Sequence, residues 1–312
     1  MSGTWQTIKD ALRGTHHDYT TELLGRAILL LAIPMVIEMA MESIFAVVDV
    51  YFVAHLGASA IATVGLTEGY LSIVYTLAMG LGIGVTATVA RRTGEGDADG
   101  AAHSAVQGIW LAALFAVGLG IVGALWAPDL LRLMGAREDV IGVGSRYARI
   151  MLGGNIVVML LFVINAAFRG VGDAAIAMRA LVIGNGINLV LNPCLILGLG
   201  PFPALGVTGS AVATMIGRGS GVLYQFWALR QARGQLAIKP HHARPDLPLM
   251  WRMLKMSGSG MLQMFVMTAS WMGLVKVIAS FGTDAMAAYQ IAIRVMLFFL
   301  LPSFGLANAA AT

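Results

Sequence analysis

The sequence predicts an all-α polytopic membrane protein, and three observations carry that prediction. Its 312 residues are 58% hydrophobic and only 12% charged, with a mean hydropathy of +0.80, whereas about a quarter of a soluble domain is charged. The apolar residues fall in repeated runs of about 20 or more, the length of a helix that crosses a bilayer, separated by short charged breaks. Glycine is abundant, with 38 residues, as expected where small residues let membrane helices approach closely. These features exclude a soluble enzyme. The net charge of +4 does not point to nucleic acid, because the basic residues sit between apolar runs and form no patch with an aromatic stacking platform.

Residues 1–22 are polar and lack the apolar stretch and cleavage site of a signal peptide, so a cytoplasmic tail is predicted. Eight spans follow, at 27–54, 60–89, 105–126, 147–167, 176–199, 206–229, 250–280 and 285 to the end. The longest break, Lys239-Pro-His-His-Ala-Arg-Pro-Asp-Leu-Pro248 and the residues before it, combines three prolines with a charge cluster and marks a boundary. Residues 23–229 then form a six-helix N-terminal lobe, 230–248 a cytoplasmic linker, and 249–312 the start of a C-terminal lobe. A shift of 225 residues sets Leu56-Gly57-Ala58-Ser59-Ala60-Ile61-Ala62 against Phe281-Gly282-Thr283-Asp284-Ala285-Met286-Ala287, with three identities. Both lie in a short turn between long apolar spans, the pattern of a tandem repeat. At this offset Gly305 falls opposite Gly80, so the second lobe is expected to be incomplete.

Charge sets the expected orientation. With the amino terminus inside, the inner segments hold Lys9, Arg13, Arg26, Arg91, Arg92, Arg169, Arg179, Arg230, Arg233, Lys239, Arg244, Arg252 and Lys255, which is 13 of 20 basic residues. The outer loops hold Arg132, Arg137, Arg146 and Arg149. Because cytoplasmic loops retain Lys and Arg, the amino terminus is expected in the cytoplasm and the chain in the inner (plasma) membrane.

Several polar residues lie inside the spans. Glu38, Glu42 and Asp49 are spaced by four and by eleven, which gathers them within roughly 40° on one helix face. A carboxylate in hydrocarbon costs on the order of 3 kcal/mol, so such groups face a cavity, find a partner or carry a proton. Pro34 frees the carbonyl of Leu30 and supplies a hinge or merely a tolerated kink. Asn185, Asn188 and Asn192 share a face of the fifth span. Their amides could bond a carboxylate or ligand, or simply join neighbouring helices. Glu68, Thr214 and Arg218 are single candidates, and Arg218 could pair with an acid.

Other patterns are set aside. Gly80-Leu-Gly-Ile-Gly84 and Gly217-Arg-Gly-Ser-Gly221 follow no strand and carry no phosphate-loop lysine, so they read as helix-packing faces. Cys194 reads as packing. The histidines His16, His17, His55, His103, His241 and His242 fall at span ends or in loops without metal-ligand spacing, and neither a metal nor a cofactor is expected.

The runs Ala32-Ile-Pro-Met35, Val48-Asp-Val-Tyr-Phe-Val-Ala-His-Leu-Gly57, Ala90-Arg-Arg-Thr-Gly-Glu-Gly-Asp97 and Phe168-Arg-Gly-Val-Gly-Asp173 resemble the multidrug and toxic compound extrusion (MATE) family. Asn188-Leu-Val-Leu-Asn-Pro193 and Gly206-Val-Thr-Gly-Ser-Ala-Val-Ala-Thr214 extend the resemblance along the chain. It implies twelve helices in two six-helix lobes, of which this chain supplies the first lobe and about two helices of the second. It implies export of organic cations against inward flow of protons or sodium ions by a monomer embedded in membrane lipid. The family's ion-coupling residues map to Asp49, Asn188, Asn192 and Thr214, and its kinking proline to Pro34; Asp49 would hold sodium if sodium is the coupling ion. Glu38, Glu42, Glu68 and Asn185 are candidates for the substrate cavity. In one branch the second amide position is an aspartate, where this chain has Asn192, which leaves Asp49 as the lone carrier. In a sodium-coupled branch the seventh helix carries a glutamate, where this chain has Met267.

In the expected mechanism, an ion binds Asp49, the first span bends near Pro34, substrate affinity falls, and the lobes rock about residues 230–248. The alternative is a flippase of lipid-linked saccharide precursors, which should present cationic residues to a pyrophosphate, whereas the first span is acidic.

Overall fold

A computed structural model describes residues 2–14, 24–231 and 236–279, together with 292, 296, 300, 303 and 305–307. Among the described residues the elements are α1 (Ser2–Arg13), α2 (Leu24–Ala54), α3 (Ala58–Gly94), α4 (Ala98–Leu133), α5 (Glu138–Gly153), α6 (Ile156–Gly170), α7 (Ala174–Leu197), α8 (Val207–Arg230), a 3-10 turn at Pro240–Ala243 and α9 (Leu247–Ala279). Five segments are long and apolar enough to cross a membrane: Gly25–Ala54, Ser59–Gly94, Ala98–Leu133, Glu138–Gly170 and Ala174–Leu197. At 24 and 33 residues, α8 and α9 also have the length, about 36 and 50 Å at 1.5 Å per residue. The outer surface is apolar, with Leu114 65% and Leu223 70% exposed, as suits a chain whose solvent there is lipid. The fold is that of a polytopic α-helical membrane protein.

The core forms around α3. Its Val74, Ala78, Leu81, Val85 and Val89 are all buried, and α4, α5, α6 and α9 pack about it. The turn from α3 to α4 needs a left-handed residue, which Gly96 supplies at φ 75°. Asp97 then caps α4 by accepting the Gly100 N–H at 2.8 Å. The motif Arg91-Arg-Thr-Gly-Glu-Gly-Asp97 is therefore a helix stop followed by a helix start.

Two expectations change. The span predicted at 147–167 is two helices, because α5 ends at Gly153 and α6 begins at Ile156. Asn155 between them donates to the Leu152 carbonyl at 2.6 Å, the local side-chain bond that competes with helix continuation. The span predicted at 105–126 belongs to a longer helix, and its expected end coincides with a kink at Trp126 (φ −109°, ψ 19°) two residues before Pro128. Within the amino-terminal segment, α1 packs on α2 and α7, with Arg179 Nη2 donating to the Leu12 carbonyl at 2.8 Å. The repeat segment 281–287 and most of the span from 285 onward lie outside the described residues.

The described part of the linker is fastened to α4. Buried Gln107 donates to the carbonyls of His242 (3.3 Å) and Arg244 (3.0 Å) and accepts the Asp246 N–H (2.9 Å). Trp110 Nε1 donates to the Ala243 carbonyl at 3.0 Å. These bonds tie residues 236–246 to α4.

Candidate functional site

The site is assembled by glycines. A Cβ on Gly217 would lie 2.6 Å from the Gly184 carbonyl oxygen, and one on Gly184 would lie 2.8 Å from that of Gly217. Only paired glycines allow α7 and α8 this approach, and it brings their polar faces together against α2. The second glycine run also packs helices: Gly80 meets Met261, and Gly84 meets Ser257 and Met253, all on α9.

Asp49 is 7% exposed. Its Oδ1 accepts from Asn192 Nδ2 on α7 at 2.8 Å and from Ser210 Oγ on α8 at 2.6 Å. Both donors are neutral, so they stabilise the carboxylate without cancelling its charge. Beside this group Asn188 Nδ2 donates to Thr214 Oγ1 at 3.3 Å, joining α7 to α8. Asn185 Nδ2 donates to the Met41 carbonyl at 3.0 Å and ties α7 to α2. The three asparagines, all buried, thus divide their work: Asn192 serves the carboxylate, while Asn185 and Asn188 join helices.

The other two acids of α2 have cationic partners. Glu38 Oε1 accepts from Arg169 Nη1 and from Asn165 Nδ2, each at 3.1 Å, on α6. Asn165 in turn accepts from Gln225 of α8. Glu42 Oε1 pairs with Arg218 Nη2 of α8 at 2.5 Å. Arg218 is 2% exposed, and its guanidinium lies over the Phe45 ring, 4.8 Å from the centroid. The acidic stripe is therefore two ion pairs and one carboxylate bonded by neutral groups. Glu68 lies exposed on α3. Pro34 sits within an unbroken α2, and beside it Gly305 approaches the Met35 carbonyl so closely that a Cβ there would lie 2.8 Å from it.

Ser210 was not among the sequence candidates, nor were Arg169 and Asn165. Their signal was the spacing: Ser210, Thr214 and Arg218 recur every fourth residue, as do Asn165 and Arg169, which marks one polar face on an otherwise apolar helix.

Outside the bundle, Asp99, His241 and His242 bring ligand atoms within 4.8 Å of one another. The hydrogen bonding argues against a metal. Nδ1 of His242 accepts the Lys239 backbone N–H at 3.1 Å, which places the ring proton on Nε2, the nitrogen facing Asp99. The Lys239 ammonium already sits 3.0 Å from Asp99 Oδ1. Metal-ligating histidines donate, rather than accept, at their second nitrogen.

The fold and these buried groups define a polytopic α-helical membrane protein built around an intramembrane carboxylate site. The family model MatE matches residues 34–194, which include α2 from Pro34, α3 to α6 and most of α7, and the chain belongs to that family. The probable multidrug resistance protein YoeA of Bacillus subtilis is 28% identical over 290 residues, covering 91% of this chain and 62% of its own. A solved MOP superfamily transporter from Pyrococcus furiosus superposes with a TM-score of 0.83 at 29% identity, covering 96% of this chain and 64% of its own. A structure described as MATE in the bent conformation has a TM-score of 0.82 at 29% identity, covering 97% and 65%. This chain thus spans a little under two thirds of the length of these relatives.

Proposed function

We propose that this chain forms the N-terminal part of a cation-coupled antiporter that exports organic cations or drugs from the cytoplasm by alternating access, as a monomer in the inner membrane with its amino terminus cytoplasmic. One observation carries the reading: Asp49 is a buried carboxylate whose hydrogen bonds come from neutral groups, Asn192 and Ser210, while Glu38 and Glu42 on the same helix are paired with arginines. A carboxylate left charged in hydrocarbon requires a counter-ion. A proton or sodium ion and a cationic substrate would compete for that one charge, which couples their movements. Asn188 and Thr214 hold α7 against α8 beside it, and Glu68 adds negative charge on α3.

Bending of α2 at Pro34 would carry Asp49 relative to α7 and α8. The resemblance to a structure described as bent supports such a motion, and the close seat of Gly305 on Met35 would bring a contact from beyond α9 next to that hinge. With residues 236–246 fastened to α4, the linker would travel with the first lobe. The reading as a flippase is less well supported, because Arg169 and Arg218 are each neutralised by a glutamate and so are not offered to a pyrophosphate.

The test uses the full-length protein in inverted membrane vesicles, with cationic-dye transport driven by an imposed pH or sodium gradient. One gradient is expected to drive transport in wild type and to fail in Asp49→Asn. Transport that persists unchanged in the variant would remove Asp49 from the mechanism.

A further inference from the structure

Resting on that reading, we propose that Arg218 is a built-in counter-ion that withholds Glu42 from the coupling cation and so sets the number of ions moved per substrate. Glu42 lies on the same face of α2 as Asp49, two turns away, with its side chain still 24% exposed. By position it could act as a second carrier. What distinguishes it is the guanidinium of Arg218, 2.5 Å from Oε1.

The charged and titratable groups around Glu42 come from each helix packed there. Arg218 approaches from α8, the phenol of Tyr75 from α3, and Glu38 and Asp49 belong to α2 itself. Arg169 of α6 is nearby too but is paired with Glu38, so among the described residues Arg218 is the cation that bonds Glu42. A guanidinium does not deprotonate in proteins, so its charge is a fixture and never a vacancy that a coupling ion could fill. It is also held independently of Glu42, since its carbon lies 4.8 Å and 6.0 Å from the ring centroids of Phe45 and Tyr75. An arginine clamped by two rings next to one of two otherwise similar acids makes those acids unequal: Glu42 has a fixed cation at Oε1, although its Oε2 is buried without a hydrogen-bond partner, and Asp49 must take its cation from solution.

The inference is tested in the full-length protein reconstituted in proteoliposomes, with ions per substrate obtained from the gradient at which dye flux reverses. Arg218→Gln releases Glu42, and the ratio is expected to rise by one. In Glu42→Gln/Arg218→Gln, where two neutral amides replace the pair, it is expected to return to the wild-type value. An unchanged ratio in Arg218→Gln would overturn the proposal. So would a ratio that falls by one in the double variant, because Glu42 would then have been carrying an ion all along. The double variant decides the matter should the single one not fold, since it removes both charges of the pair and strands neither. Infrared spectroscopy of purified protein gives a readout that needs no transport. Arg218→Gln should gain a protonated-carboxyl band on acidification that the double variant lacks, and the absence of that band in a folded Arg218→Gln protein would also overturn the proposal. If wild type moves no dye under either gradient, the antiporter reading fails, and the infrared comparison still settles whether Arg218 holds Glu42 ionised.

Discussion

Asn192 on α7 donates its side-chain amide to Asp49 on α2 across 2.8 Å, and through this bond two helices separated by more than a hundred residues share one carboxylate. Its partner bond from Ser210, at 2.6 Å, adds α8. When the coupling ion is a proton, each donor stabilises the empty, charged form of the site relative to the loaded, neutral form. A hydrogen bond to a charged group contributes about 1.5–3 kcal/mol. Ser210→Ala should therefore tighten ion binding, lowering the cation concentration for half-maximal dye transport by about tenfold or more. Titrating transport against that cation in both proteins checks it; an unchanged midpoint would show that the hydroxyl does not act on the site.

The α7–α8 contact depends on backbone touching backbone. Gly217→Val would drive side-chain carbon toward the Gly184 carbonyl, 2.6 Å from the first atom added. Overpacking of this kind costs about 1–3 kcal/mol. Thermal unfolding in detergent should show a clearly lowered midpoint for Gly217→Val and little change for Gly219→Ala, since a Cβ on Gly219 meets nothing within 4 Å.

At the other end of α2, Gly305→Val should act on movement. The added carbons meet the backbone of Met35 and Val36, next to the Pro34 hinge, and nothing there can swing aside. Turnover of dye transport is expected to fall several-fold with dye affinity retained. A variant that transports at the wild-type rate would argue against hinge motion at this contact.

The linker dock has a defined pH range. The Asp246 carboxyl is held below its usual value chiefly by the Leu249 N–H it accepts, with His103 beside it. A lowered folded value means the stabilisation is complete above the unfolded carboxyl range, about 3.9, and is lost as pH falls below it through the folded value. Hydrogen exchange of residues 236–246 should stay slow from neutral pH to about pH 5 and quicken only in stronger acid. Asp246→Ala should show quickened exchange throughout that range.

The Asp99, His241 and His242 group should ignore metals. Because His242 accepts at Nδ1, zinc or nickel is expected to leave the unfolding midpoint unchanged. A rise in the midpoint that vanishes in His242→Ala would contradict the tautomer assigned from the hydrogen bonding.

Much of this was legible in the sequence, because lipid imposes a simple demand: long apolar runs must be helices. Polar residues in such runs stand out, which is how Asp49 and Asn192 were found on their own helices before the structure joined them. The break at Gly154 and Asn155 was hidden because the apolar run crosses it without a charge. Ser210 was hidden because a lone serine is unremarkable, and only its four-residue spacing to Thr214 and Arg218 marks a face. Arg218 is read from the sequence as able to pair with an acid, but which acid it meets is decided by where α8 lies against α2, and that acid is Glu42. The fastening of the linker to Gln107 depends on backbone carbonyls, which leave no trace in side-chain pattern.

The central claim is that coupling ion and cationic substrate compete for the charge on Asp49. The most direct measurement is equilibrium binding of a cationic dye to the purified full-length protein as pH or sodium is varied, in wild type and Asp49→Asn. For competition by one ion, affinity in wild type should fall about tenfold for each tenfold rise in the ion, and Asp49→Asn should bind weakly with no dependence on it. Dye affinity that is independent of both ions in wild type, or a dependence that survives in Asp49→Asn, would contradict the account.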